Sequence, residues 1–117
     1  MSIFVTCKNI ENHIMTIDIQ ELDGKIITTL SGELDTNEAE EVETALRPLL
    51  EREGMEIIID CTHLEYIASS GLRILLSILK KARNSGSRVV LKNVNDVVHD
   101  VLDMTGLVNI FELEQDN

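Results

Sequence analysis

Basic residues are scarce in this chain. Ten Lys and Arg stand against 21 Asp and Glu, a net charge of −11 over 117 residues. Such a surface repels phosphate backbones and anionic membranes, so nucleic-acid binding and membrane adsorption are set aside. The acid excess has a plain reading, solubility, and a functional one, a partner with a basic face. Cysteine is scarce too. Cys7 and Cys61 form no CxxC, which argues against a disulfide framework and for two reduced thiols. His13, His63 and His99 have no metal-ligand spacing with one another or with the cysteines, and no metal or other cofactor is expected. No apolar run approaches the roughly 20 residues of a spanning helix. The N-terminus lacks a basic segment followed by an apolar one. A cytoplasmic protein without membrane insertion is the expectation.

What is present suits one domain with one core, since 44% of the residues are hydrophobic and no repeat or linker divides the chain. Ile3 to Cys7 reads as an extra edge strand or a loosely held arm. Residues 1–13 are taken as an N-terminal extension and 14–117 as the domain proper. Ile14 to Leu22 alternates as a strand with Ile17 and Ile19 on one face. Asp23-Gly24 signals a hairpin turn, and Ile26 to Leu30 is the returning strand. Ser31 to Asp35 closes that strand and opens a helix, with Asp35 and Glu38 spaced as a capping box. Ala39, Val42, Ala45, Leu46, Leu49 and Leu50 form its apolar face. Pro48 predicts a kink or break near Arg47, and Gly54 a stop.

Met55 to Ile59 reads as a strand buried on both faces of a parallel sheet. A polar loop is expected after Asp60, then a helix from about Ser70 to Asn84. Val89 to Leu91 is a further buried strand. Asn95 is placed as the cap of a helix with Val97, Val98, Val101 and Leu102 inward, stopped at Gly106, and Ile110 to Leu113 is a last strand. A hairpin followed by alternating helices and strands predicts an α/β fold. Four to five strands plus an N-terminal edge strand form a mixed sheet, packed against three to four helices. Functional loops of such sheets lie at strand C-terminal ends.

Ala68-Ser69-Ser70-Gly71 stands at one of these ends, between Ile67 and an amphipathic helix. A serine there is expected to cap the helix. A helix N-terminus also stabilises a phosphate, so modification would add charge without melting the helix. A nucleophilic serine would need a base and an oxyanion hole. His63 is the nearest base, but no Gly-x-Ser-x-Gly is present, and phosphate-binding glycine loops are also missing. A non-enzyme is the reading, and the carboxylate pairs Glu33/Asp35 and Asp100/Asp103 are caps and solvated faces. In the helix, Leu72, Leu75, Leu76, Leu79 and Ala82 make the inner stripe, with Ile78 at its border. Ile74 lies off that stripe. Either a neighbouring helix covers it, or it forms an apolar docking spot one turn from the serines.

Three segments, in this order, resemble the STAS domain: Gly32-Glu33-Leu34-Asp35, Asp60 through Leu72, and Met104-Thr105-Gly106-Leu107. The likeness covers about residues 14 to 113 and is nearest to the stand-alone bacterial anti-sigma factor antagonists. It implies a STAS-like mixed sheet and a binding protein that regulates transcription by partner switching. The implied partner is an anti-sigma factor, often a serine kinase of the histidine-kinase-like ATPase type, with a PP2C-type phosphatase reversing the modification. Mapped here, the acceptor is Ser69, with Ser70 the lesser candidate. The implied partner-binding residues are Glu33, Asp35, Thr62, Tyr66, Ala68, Ser69, Ser70, Arg73 and Ile74. Ala68 stands where the family has an aspartate. The final helix usual in the family is expected to be absent after the last strand, or replaced by the N-terminal extension. The rival reading is a STAS scaffold subunit of a signalling or transport complex, bound without phosphorylation.

Overall fold

The computed structural model describes residues 2–8, 14–34 and 36–115, with side chains for 16–34, 40–48 and 50–115. Its strands are β1 (Ser2–Lys8), β2 (Ile14–Leu22), β3 (Lys25–Leu34), β4 (Glu56–Ile67), β5 (Arg88–Lys92) and β6 (Glu112–Glu114). The helices are α1 (Thr36–Leu50), α2 (Ser69–Asn84) and α3 (Asp96–Met104), with a 3-10 turn at Leu107–Asn109. The six strands lie in sequence order in one sheet. β1, β2 and β3 pair antiparallel, and β3 through β6 run parallel. The N-terminal segment is therefore an edge strand, with Ile3 opposite Ile19 and Val5 opposite Ile17.

Local chemistry accounts for the elements. Asp23 and Gly24 both have positive φ, 40° and 83°, the geometry that matches a two-residue turn to the twist of its strands. One sheet face builds the core: Ile17 and Ile19, Ile26 and Leu30, Ile57 and Ile59, Val89 and Leu91 are all buried there. Val42, Leu46 and Leu50 of α1, Leu72, Leu75 and Leu79 of α2, and Val98 and Leu102 of α3 pack into the same cluster. Ile58 points to the other face and is half-buried, so β4 is not buried on both sides as its isoleucine run suggested. Val89, Val90 and Leu91 of β5 are all buried.

Other expectations need correction. α1 passes through Pro48 and ends at Leu50. Pro48 sits in the last turn, where its missing N–H removes one helical bond and leaves little helix to disrupt. The chain then turns, and Gly54 (φ 67°) donates its N–H to the Ser85 carbonyl at 3.1 Å. Val97 is exposed on the outer side of α3. The last strand is shifted to Glu112–Glu114. Asp35, and the side chains of Glu38, Ala39, Leu49, Cys7 and His13, lie outside the described residues.

Thr28 is fully buried between Ile19 of β2 and Ile59 of β4, and its hydroxyl has no hydrogen-bond partner among the described residues. An unpaired buried hydroxyl costs about 1–3 kcal/mol. Thr28→Val keeps the shape and removes the hydroxyl, so unfolding in urea should shift to higher denaturant, by about 0.5–2 kcal/mol of stability. A loss of stability would mean that the hydroxyl is paired in solution.

Candidate functional site

The stretch expected to be a polar loop is the far half of a strand. β4 runs on to Ile67 because it keeps pairing with β3, through Ser31 opposite His63, Gly32 opposite Leu64, Glu33 opposite Tyr66 and Leu34 opposite Ile67. The register slips between Thr29 and Ser31 and again between Gly32 and Glu33, each time with an extra residue in β4. These bulges change the burial period. Cys61, Leu64 and Ile67 turn inward, and the pairs Thr62/His63 and Glu65/Tyr66 face solvent. Bulges of this kind re-aim side chains at the end of a sheet.

The chain leaves β4 and enters α2 with no room to spare. Ala68 N–H donates to the Leu34 carbonyl at 2.9 Å, and the Ala68 carbonyl accepts from Leu72 N–H at 3.0 Å. Ala68, in extended geometry (φ −84°, ψ 165°), is therefore the N-cap, with no side-chain cap bond. The expected serine cap does not form. The tie to Leu34 starts the helix one residue early, so Ser69 and Ser70 become its first two residues. Ser69 is exposed and takes no part in the cap. Gly71 is buried: a Cβ there would lie 2.8 Å from the Leu34 carbonyl oxygen and 3.0 Å from the Ile67 side chain.

A third element closes the same end. Asn95 Oδ1 accepts from Val98 N–H at 2.8 Å, capping α3 as the sequence predicts. Its Nδ2 donates to the Leu64 carbonyl at 3.0 Å, so one side chain joins α3 to the bulged strand. Asn95→Ala should cost about 1–2 kcal/mol, since it removes the cap and the bond from its Nδ2 to the Leu64 carbonyl. Hydrogen exchange at Val98 should accelerate relative to core amides. Unchanged exchange there would show that water or a neighbour replaces the cap.

The STAS domain model matches residues 16–116, most of the chain. The chain belongs to the STAS domain family. Among relatives, an anti-sigma-B factor antagonist of Listeria monocytogenes is 32% identical over 101 residues, 86% of this chain and 89% of its own. An anti-sigma F factor antagonist of Paenibacillus polymyxa is 31% identical over 100 residues, 85% and 86% of the two chains. The unphosphorylated form of the anti-sigma factor antagonist SpoIIAA shares the fold, with a TM-score of 0.76 at 19% identity, covering 86% of this chain and 88% of that one.

In this STAS domain, the ends of β3 and β4 and the start of α2 gather Glu33, Tyr66, Ala68, Ser69 and Ser70 at one end of the sheet. Tyr66 is 45% exposed and stands opposite Glu33. Thr62 is also exposed, but its hydroxyl donates to Asp60 Oδ1 at 2.5 Å and accepts from Asn93 Nδ2 at 3.1 Å, so it sits in a network just past the C-terminal end of β5. Arg73 is exposed on α2. Ile74 is not an exposed spot: it is half-buried and packed against the core, as is Leu76, while Ile78 is fully buried.

The hydrolase alternative loses its geometry. His63 lies in β4 opposite Ser31, not in a loop able to fold back on Ser69, and no hydrogen bond joins the two. Burial, with the neighbouring Asp60 charge, pushes the Cys61 thiol up to about 12, leaving it protonated and inert as a nucleophile. Among the described residues, no helix is long and apolar enough to cross a membrane.

Proposed function

We propose that this STAS domain is an anti-sigma factor antagonist that binds an anti-sigma factor and is inactivated by phosphorylation of Ser69. The observation that carries this reading is the placement of Ser69: exposed, first in α2, outside the cap, at the end where β3, β4 and α2 meet. The names of relatives above 30% identity, anti-sigma factor antagonists, support the antagonist part of this reading. A kinase can reach this hydroxyl without opening the fold. The phosphate, about −1.5 to −2 charges, would sit at a helix N-terminus that tolerates it and within a surface meant for a partner. Ser70 is the lesser acceptor because it is less exposed.

The partner surface on this reading comprises Glu33, Tyr66, Ala68, Ser69, Ser70 and Arg73, with Asp35 beside them in sequence. Thr62 contributes through its network, and Ile74 only through packing. The anti-sigma factor would be a serine kinase of the histidine-kinase-like ATPase type, with a PP2C-type phosphatase to reset the switch, in the cytoplasm. The test is incubation with such a kinase and ATP, followed by intact-mass and site mapping. One phosphate on Ser69, absent in Ser69→Ala, is expected. No phosphate on any serine would favour a scaffold that binds without modification. One residue supports that second reading: Ala68, where a family kinase would meet an aspartate.

A further inference from the structure

The acid that dominates this chain stops at α2. Ser69–Asn84 contains no Asp or Glu and holds Arg73, Lys80, Lys81 and Arg83, four of the chain's ten basic residues. The flanking helices are the opposite: α1 carries Glu38, Glu40, Glu41 and Glu43, and α3 carries Asp96, Asp100 and Asp103. Two of the four cations are already engaged. Lys81 pairs with Glu43 at 3.3 Å, and Arg83 donates to the Ile110 carbonyl at 3.3 Å. Burial alone would raise the Glu43 carboxyl, but Arg47, Lys81 and Ser77 hydrogen-bond to it and Lys81 adds its charge, so its pKa lies below the ordinary carboxylate value.

Arg73 and Lys80 are different. Both are exposed, and neither makes an ion pair or hydrogen bond among the described residues. They are seven residues apart, two helical turns or roughly 10 Å, on one side of α2. Between them runs an open groove of about 430 Å³, lined by Arg73, Leu76, Ser77, Lys80, Lys81 and Asn84. Ser69 precedes Arg73 by four residues, so the groove continues the side of α2 that begins at the proposed acceptor.

We infer that this groove docks an acidic helical segment of a protein partner, which lays two carboxylates, also two turns apart, against Arg73 and Lys80. The expectation of a basic partner face, read from net charge, is reversed at this surface. Charge complementarity selects the occupant. A second copy offers Asp96 and Asp103 of α3 two turns apart, but it brings a net −11 against another −11. A concentration-dependent dimer that Arg73→Glu/Lys80→Glu abolishes would overturn the proposal. A nucleic acid or anionic membrane would meet the same repulsion everywhere but α2. The acidic segment would belong to the proposed anti-sigma factor, and to that extent the inference rests on the functional reading above.

The experiment titrates the 15N-labelled protein with a synthetic helical peptide bearing Glu at positions i and i+7 and a Leu between them. A control peptide has both Glu replaced by Gln. Amide shifts confined to Arg73–Asn84 are expected. Binding should weaken tenfold or more with the Gln peptide, with Arg73→Glu/Lys80→Glu, or on raising salt from 50 to 500 mM. Shifts centred on another element, or equal binding of the Gln peptide, would overturn the proposal. So would tighter α2-dependent binding to duplex DNA or to phosphatidylserine vesicles. The peptide control needs no variant, so a misfolded double mutant leaves the test intact. Against a purified anti-sigma factor, intact binding by Arg73→Glu/Lys80→Glu but not by Ser69→Asp would sink the groove and spare the function. Absence of any anti-sigma binding by the wild type would do the reverse, with the peptide still judging the groove.

Discussion

Gly71→Val is expected to destabilise the fold by about 3 kcal/mol, and Gly71→Ala by about 1 kcal/mol, in urea unfolding. Two effects oppose each other. Alanine is favoured over glycine in a helix by about 1 kcal/mol, which alone would make the substitution stabilising. The added Cβ, however, would come within 2.8 Å of the Leu34 carbonyl oxygen, a backbone atom that cannot rotate away. That same oxygen accepts the Ala68 N–H, the bond that starts α2. Overpacking of this kind costs roughly 1–3 kcal/mol, so steric pressure wins narrowly for Ala and clearly for Val, whose branches add to the clash and whose helix propensity is lower. Any relief must move α2 away from β3, which displaces Ser69 with it. Stability equal to wild type in both variants would show that the helix start can slide off the strand, and the site would then be less fixed than described.

Gly71 also marks what could be read from the residues and what could not. Its role beside two serines pointed to a helix start, but close approach to a strand 37 residues earlier is a tertiary fact. Elements governed by local chemistry were legible. Asp23-Gly24 makes its turn because few other pairs accept positive φ twice, and Asn95 caps α3 through its own side chain. Elements governed by pairing were not. Polar residues 60–66 look like a loop, yet β3 holds them in a strand, and two bulges replace the alternation that would have betrayed it. Propensity predicts a serine cap, and the Leu34 carbonyl overrides it by fixing Ala68 in that place. Ile74 admits two readings because helical spacing cannot say what will pack over it. The cationic side of α2 was present in the residue string, and net charge over the whole chain concealed it.

Phosphate on Ser69 is expected to weaken anti-sigma binding several-hundredfold, about 3–4 kcal/mol, without unfolding the domain. The two halves of that expectation have separate causes. Ser69 is exposed and makes no cap, so a charge there breaks no bond of the fold. At the first residue of α2 it meets the positive end of the helix dipole, which favours an anion by about 0.3–1 kcal/mol. Ser69→Asp should therefore melt at the wild-type temperature or slightly above. Docking responds in the opposite sense. A partner that brings carboxylates to α2 meets like charge at its edge, and a phosphate trapped beneath it loses water without gaining a counter-ion. Arg73, one turn along, can turn toward the phosphate and away from the partner. Ser69→Asp carries about half the charge and should lose at least tenfold in affinity, while Ser69→Ala should bind as the unmodified protein does. Calorimetric titration of the three proteins, each with its thermal unfolding, separates the causes. Equal affinity of the Asp and Ala variants would end the switch as a mechanism. A fall in melting temperature that tracks the loss of affinity would place the effect in the fold instead of at the surface.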